Sequence, residues 1–184
     1  PLLALAGCAG APAPSACGTW RGDFDLRGLT LSTTGANRYF ILEPGHQSVL
    51  EGGGGRLTIT VLGDTRPIGG VATRVVEERE EQDGRVVEIS SNYFAICRDT
   101  GDVFYFGEDV DTFRDGRLRD HAGAWKAGEN GNRPGLMMPG RPEPGFRFCL
   151  EQAPGVAMDR AEIVSLSETL DTPAGRFTGC LKVR

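Results

Sequence analysis

Apolar and polar residues alternate strictly from Arg56 to Leu62 (RLTITVL): Leu57, Ile59 and Val61 fall on one side of an extended chain, Thr58 and Thr60 on the other. A period of two marks a strand with one buried and one wetted face. β-branched and aromatic residues fill Val71 to Glu80 and then the stretch Arg85 to Trp125. That stretch carries three β-type runs, Val86 to Ile96, Asp102 to Phe106 and Val110 to Trp125, separated by turn sequences. Asp83-Gly84 and Asp115-Gly116 sit between such runs, where a type I′ hairpin turn needs positive φ at both central residues. Thr172-Pro173-Ala174-Gly175 joins Glu162–Leu170 to Arg176–Val183 in the same way, and Glu43-Pro44-Gly45 precedes a short run from Ser48 to Glu51.

Helical periodicity is weak everywhere. The best candidate, Met158 to Leu170, carries Ile163, Val164, Ser165 and Thr169, which favour a strand. Glycine accounts for 27 of 184 residues, about twice the usual ~7%, and its position between apolar runs argues for many turns and many short strands. The segment Lys126 to Gly145 is rich in Gly, Pro and Asn and reads as a long loop. Its apolar centre, Leu136-Met137-Met138, favours a flap folded onto the sheet over a free linker. The expected fold is all-β, an antiparallel meander closing into an open half-barrel or small barrel.

The first residues change the picture of where this domain sits. Pro1 to Cys8 (PLLALAGC) reads as the end of an apolar signal region, and Leu5-Ala6-Gly7-Cys8 matches the bacterial lipobox, which makes Cys8 the expected lipid-bearing residue. Ala9 to Thr19 is an Ala, Pro, Gly and Ser-rich tether. Trp20 to Thr34 fits either a loose edge hairpin or an extension of the tether. A single β domain is expected from residue 37 to 184, after a tether and extension over 9–36 and a signal remnant over 1–8. The chain stops at Arg184 within the strand-like run Arg176 to Arg184, as a fragmentary reading frame would. A net charge of −5 lacks the basic footprint of nucleic-acid binding.

Candidate chemistry is sparse. No G-x-S-x-G, P-loop, G-x-G-x-x-G or H-E-x-x-H motif occurs, and His46 and His121 are the only histidines. With Cys8 assigned to lipid, four cysteines remain and allow three pairings; a Cys149–Cys180 bridge across the sheet is the preferred one, against free buried thiols. Zinc-type cysteine spacing is absent. Asp99, Asp102, Glu108, Asp109, Asp111, Asp115 and Asp120 crowd one double hairpin. Asp109 and Asp111 share a strand face and His121 returns beside them, so these three are candidate ligands for a divalent metal and Glu108 a candidate general base. The competing reading is a solvated surface paired with Arg114, Arg117 and Arg119. Phe104, Phe106, Trp125, Met137 and Met138 are candidates to line an apolar cavity.

The strings NYFAICRDTGDVFYFGEDVD, GAWKAGENGNRPGLMMPG and APGVAMDRAEIVSLSETLDTPAGRF resemble an uncharacterised family of secreted or lipid-anchored bacterial β proteins over about Asn37 to Arg184, with YFGEDV and the PAG-Phe hairpin the most specific parts. The resemblance implies the open half-barrel of envelope lipoproteins and a chain that continues into further strands; it implies no activity. The expected function is a cell-envelope lipoprotein, exposed to the periplasm or exterior, whose sheet binds an apolar small molecule or a partner protein. A metal-assisted hydrolase built on the acidic hairpin and a structural envelope role are the alternatives.

Overall fold

The computed structural model describes residues 17–184; the lipobox and most of the tether lie outside them. The described residues are all-β: β1 (Leu31–Ser32), β2 (Gln47–Gly52), β3 (Gly55–Ile68), β4 (Val71–Gln82), β5 (Arg85–Cys97), β6 (Val103–Arg114), β7 (Arg117–Asp120), β8 (Trp125–Lys126), β9 (Gly135–Met138), β10 (Arg147–Cys149), β11 (Arg160–Thr172) and β12 (Gly175–Val183). The main sheet runs β2-β3-β4-β5-β6-β7, with β8 and β9 also paired to β6 and β1 to β5. All of its strand pairings among the described residues are antiparallel, and it curls into an open half-barrel. A second sheet, β10-β11-β12, contributes Phe148, Ala161 and Ile163 to the same core. No helix among the described residues is long and apolar enough to cross a membrane.

The hairpins form where their turn chemistry demands. Asp83 and Gly84 have φ of 49° and 74°, and Asp115 and Gly116 have 52° and 72°, the two positive values of a type I′ turn. Met158 to Leu170 is strand rather than helix from Arg160 onward. Two expectations need correction. Asp102–Phe106 and Val110–Arg114 are not separate strands joined by a turn but one strand, β6. Gly107, at φ 120°, absorbs a register shift between the pairs Asn92↔Glu108 and Phe94↔Tyr105, so the ladder bulges instead of turning. The stretch Lys126 to Gly145 is not a plain loop either, because its Leu-Met-Met centre pairs with β6 as β9.

Gly107 is irreplaceable for a second reason. A Cβ there would lie 2.2 Å from the Trp125 carbonyl oxygen, where β8 crosses it. Gly107→Ala is therefore expected to destabilise the fold by about 3 kcal/mol or more through combined backbone strain and steric displacement, measured as a fall in the urea midpoint.

Residues that pair across the sheet share a face. One face carries Val76, Asn92 and Glu108 in one row and Arg74, Phe94 and Tyr105 in the next. The other carries Tyr93, Phe104 and Asp109. Because both faces are covered here, every residue from Val103 to Phe106 is buried. On the first face the rings of Phe40, Phe94, Tyr105 and Trp125 form a continuous chain, with centroids 5.2, 4.8 and 5.3 Å apart. Arg74 is buried beside them and donates to the carbonyls of Thr33 at 2.9 Å and Gly63 at 2.6 Å, which fastens the irregular stretch of β3 between Val61 and Thr65.

The segment Cys17 to Ser32 is neither tether nor hairpin. It is a strap laid over the second face. At one end Cys17 is bonded to Cys149, with Cα atoms 6.3 Å apart, and Arg21 bridges Phe148. At the other, β1 pairs with β5. Between them Phe24, Leu26 and Leu29 pack on the core, so the folded unit extends upstream of the boundary at residue 37. The expected Cys149–Cys180 bridge is overturned. Cys149 lies opposite Arg160 and Cys180 opposite Glu168, eight residues further along β11, roughly 25 Å at the rise of an extended strand; a disulfide needs Cα atoms within about 7 Å. Cys97 and Cys180 are free thiols.

Candidate functional site

The strap leaves a cleft of about 600 Å³ between itself and the sheet. Phe24 and Leu29 come from the strap, Phe104 from β6, Leu136 from β9 and Phe146 from the turn before β10. Phe24 meets Phe104 edge-on at 5.9 Å. Each position follows from local sequence: β6 supplies a fully apolar run, β9 a short apolar run, and the disulfide holds the strap in place. Arg21, Asp25, Asp99, Asp102, Arg141 and Glu143 line the rest. A concavity of a few hundred cubic ångströms that joins an apolar wall to several charged groups has the size of a small-molecule site and can take an amphipathic guest.

Of the residues expected to line a cavity, Phe104 does so. Phe106 and Trp125 do not. Phe106 is fully buried in the core, and Trp125 packs on Tyr105 on the opposite face. Met137 and Met138 are half-buried and follow Leu136 in β9, packed against the core rather than capping the cleft.

The acidic hairpin is divided by the pleat. Asp109, on the second face, accepts from the Tyr93 hydroxyl at 2.6 Å and from the Lys126 ammonium. Burial works to raise its carboxyl, but Lys126 and Tyr93 outweigh burial and hold it below the usual carboxylate range. His121 does return beside β6 as expected: its Nδ1 lies 2.9 Å from the Val110 carbonyl and 2.8 Å from Asp111. That carbonyl first, and Asp111 after it, raise the imidazole's proton affinity. The three candidate ligands are thus split, Asp109 to Lys126 and Asp111 to His121. Among the described residues no group of three or more His, Cys, Asp or Glu side chains is disposed to hold a metal ion. Glu108 faces the other way, so it cannot act as base for chemistry at Asp109, Asp111 and His121.

The first face carries an unforeseen feature. Glu78 and Glu108 lie in adjacent rows, and Glu80 sits directly opposite Glu88. Burial, followed by Glu151, pushes Glu108 up to about 7. Glu78 and Glu88 are raised by burial and by Glu80, and Glu151 by burial and Asp159. The Tyr105 hydroxyl donates to Asn92 at 2.5 Å beside this row, and burial drives its proton affinity far above normal. Period-two alternation through Glu78, Glu80 and Glu88 was available as a signal, but burial of that face was not.

With this geometry in hand, comparison with protein families, curated proteins and solved structures returned no match to the chain.

Proposed function

We propose that this chain is a bacterial cell-envelope lipoprotein, anchored through lipid on Cys8 and exposed to the periplasm or exterior, which binds an apolar ligand rather than catalysing a reaction. The observation that carries the binding role is the cleft walled by Phe24, Phe104, Leu136 and Phe146. The Leu5-Ala6-Gly7-Cys8 sequence supports the anchor, and lipid on a cysteine holds a protein to a bilayer without a spanning helix. Cys8→Ser is expected to move the protein from the membrane to the soluble fraction of its host. In that soluble form, Phe24→Ser should weaken binding of a fluorescent apolar probe about tenfold, since burying a phenyl ring is worth about 1.5–3 kcal/mol. Unchanged probe binding would remove the cleft from the proposal.

A partner-protein role has its own observation. Leu170 and Phe177 pair across the β11–β12 hairpin and are 56% and 49% exposed, which puts two large apolar side chains side by side on the outside of this arm. Crosslinking in the envelope that captured a partner through this arm, with an empty cleft, would favour that reading.

A further inference from the structure

The cleft's ligand can be narrowed by charge, an inference that rests on the binding role proposed above. Arg21 is held rigidly. Its backbone N–H donates to the Arg147 carbonyl at 3.1 Å and its carbonyl accepts from Cys149 N–H at 3.0 Å, four residues from the disulfide. Its guanidinium lies 5.8 Å from the ring centroids of both Phe24 and Phe146, close enough for each ring face to attract it. Among the described residues neither Arg21 nor Arg141 forms an ion pair.

The carboxylates of the cleft are differently placed. Asp25 is engaged by Arg27 through two side-chain contacts at 2.9 and 2.7 Å. Asp102 accepts from Gly140 N–H and from the Thr100 hydroxyl, both at 2.8 Å. Asp99 and Glu143 are exposed, in a turn and an irregular segment. Both arginines are exposed as well, but Arg21 is the cleft charge set against two of the rings without an ion pair, so its donors are unused, and a guanidinium's planar fork matches a carboxylate in two parallel hydrogen bonds.

We infer that the cleft takes an amphiphile with an anionic head, the head on Arg21 with Arg141 lining the same cleft, and the apolar body along Phe24, Phe104 and Phe146. A head-group anion placed there completes the arginines, while its chain replaces water on the rings.

Calorimetric titration tests this on the whole chain carrying Cys8→Ser, with the Cys17–Cys149 bond intact and three probes, laurate and dodecyltrimethylammonium kept below their micelle concentrations and dodecanol below its solubility limit. Laurate is expected to bind about tenfold tighter than dodecanol, the worth of a charge-assisted pair, and dodecyltrimethylammonium weakest. Arg21→Gln should erase the laurate advantage and leave dodecanol unchanged. Arg141→Gln, at an exposed residue with no packing role, should reduce it and guards against a folding defect in the first variant. Equal binding of laurate and dodecanol, tighter binding of the cationic probe, or laurate affinity unmoved in both variants would overturn the head-group assignment while leaving the cleft standing. Failure of all three probes to bind would instead overturn the binding role and this inference with it.

Discussion

Replacing Cys17 and Cys149 together with serine is expected to lower stability by about 5 kcal/mol, the chain-entropy value for so long a closed loop. The bond spans 132 residues, so in the unfolded chain it ties the start of the described residues to β10 and removes much of that chain's freedom. Both cysteines are completely buried, and each serine would bury a hydroxyl in their place. Without the bond the strap keeps its paired bridge at Arg21 and the buried Gln152, whose amide donates to the Gly22 and Pro134 carbonyls at 2.9 and 2.6 Å. These contacts fix its backbone but not its start. Urea unfolding measures the loss, and limited proteolysis should find new cleavage between Cys17 and Leu29. A midpoint within error of the native protein would mean that the strap is held by hydrogen bonds and packing alone.

Glu108→Gln is expected to flatten the pH dependence of stability. The sign follows from proton counting. Glu108 folds with its carboxyl raised from 4.5 to about 7, so between those values the native state binds more protons than the unfolded state, and stability falls as pH rises. The full difference is reached above pH 7 and amounts to roughly 2 kcal/mol once solvent screening at this partly wet site is allowed for. Glu78, Glu88 and Glu151 are raised too and add to the same slope. Asp109 and Glu162, held low, lose their stabilising charge only at more acid pH, outside this window. Denaturation midpoints from pH 5 to 8.5 should decline in the native protein, while the glutamine variant declines less and is the more stable of the two at pH 8. Identical slopes would place the protons elsewhere.

What sequence could and could not reveal divides along a physical line. Hairpins were legible because Asp-Gly turns and two-residue alternation are local, and the strands on either side of Asp83 and Asp115 stand where those signals put them. Gly107 was not legible as a bulge, because a glycine after an aromatic strand residue looks the same whether the chain turns or kinks; only the crossing of β8 decides it. The disulfide escaped for the opposite reason. Cys17 sits in a sequence composed like a tether, and its partner is chosen by a tertiary contact that no spacing encodes. Phe104 could be picked out as a cavity residue by its strand, but Phe24 and Arg21, which make the opposite wall, lie in a stretch without clear period. The acidic hairpin misled because proximity in sequence hides the pleat. Glu108 and Asp109 are neighbours whose carboxyls look into different surroundings and shift in opposite directions.

The half-barrel is open, and an open sheet offers its rim to other chains. β2 covers only the first part of β3, from Gly55 to Thr60, so the remainder of β3 is itself rim. Pro67 falls in that remainder, where its missing N–H interrupts the row of donors that an intruding strand would need. Asp64 and Arg66 stand exposed just before it, and Glu51 with Arg56 closes the other end of the rim as a surface ion pair. An incoming strand would meet a broken ladder flanked by charges of both signs, the features by which β proteins resist fibrillar stacking. With its rim broken and charged in this way, the sheet can stay unclosed without offering a second copy of the chain a ladder to extend.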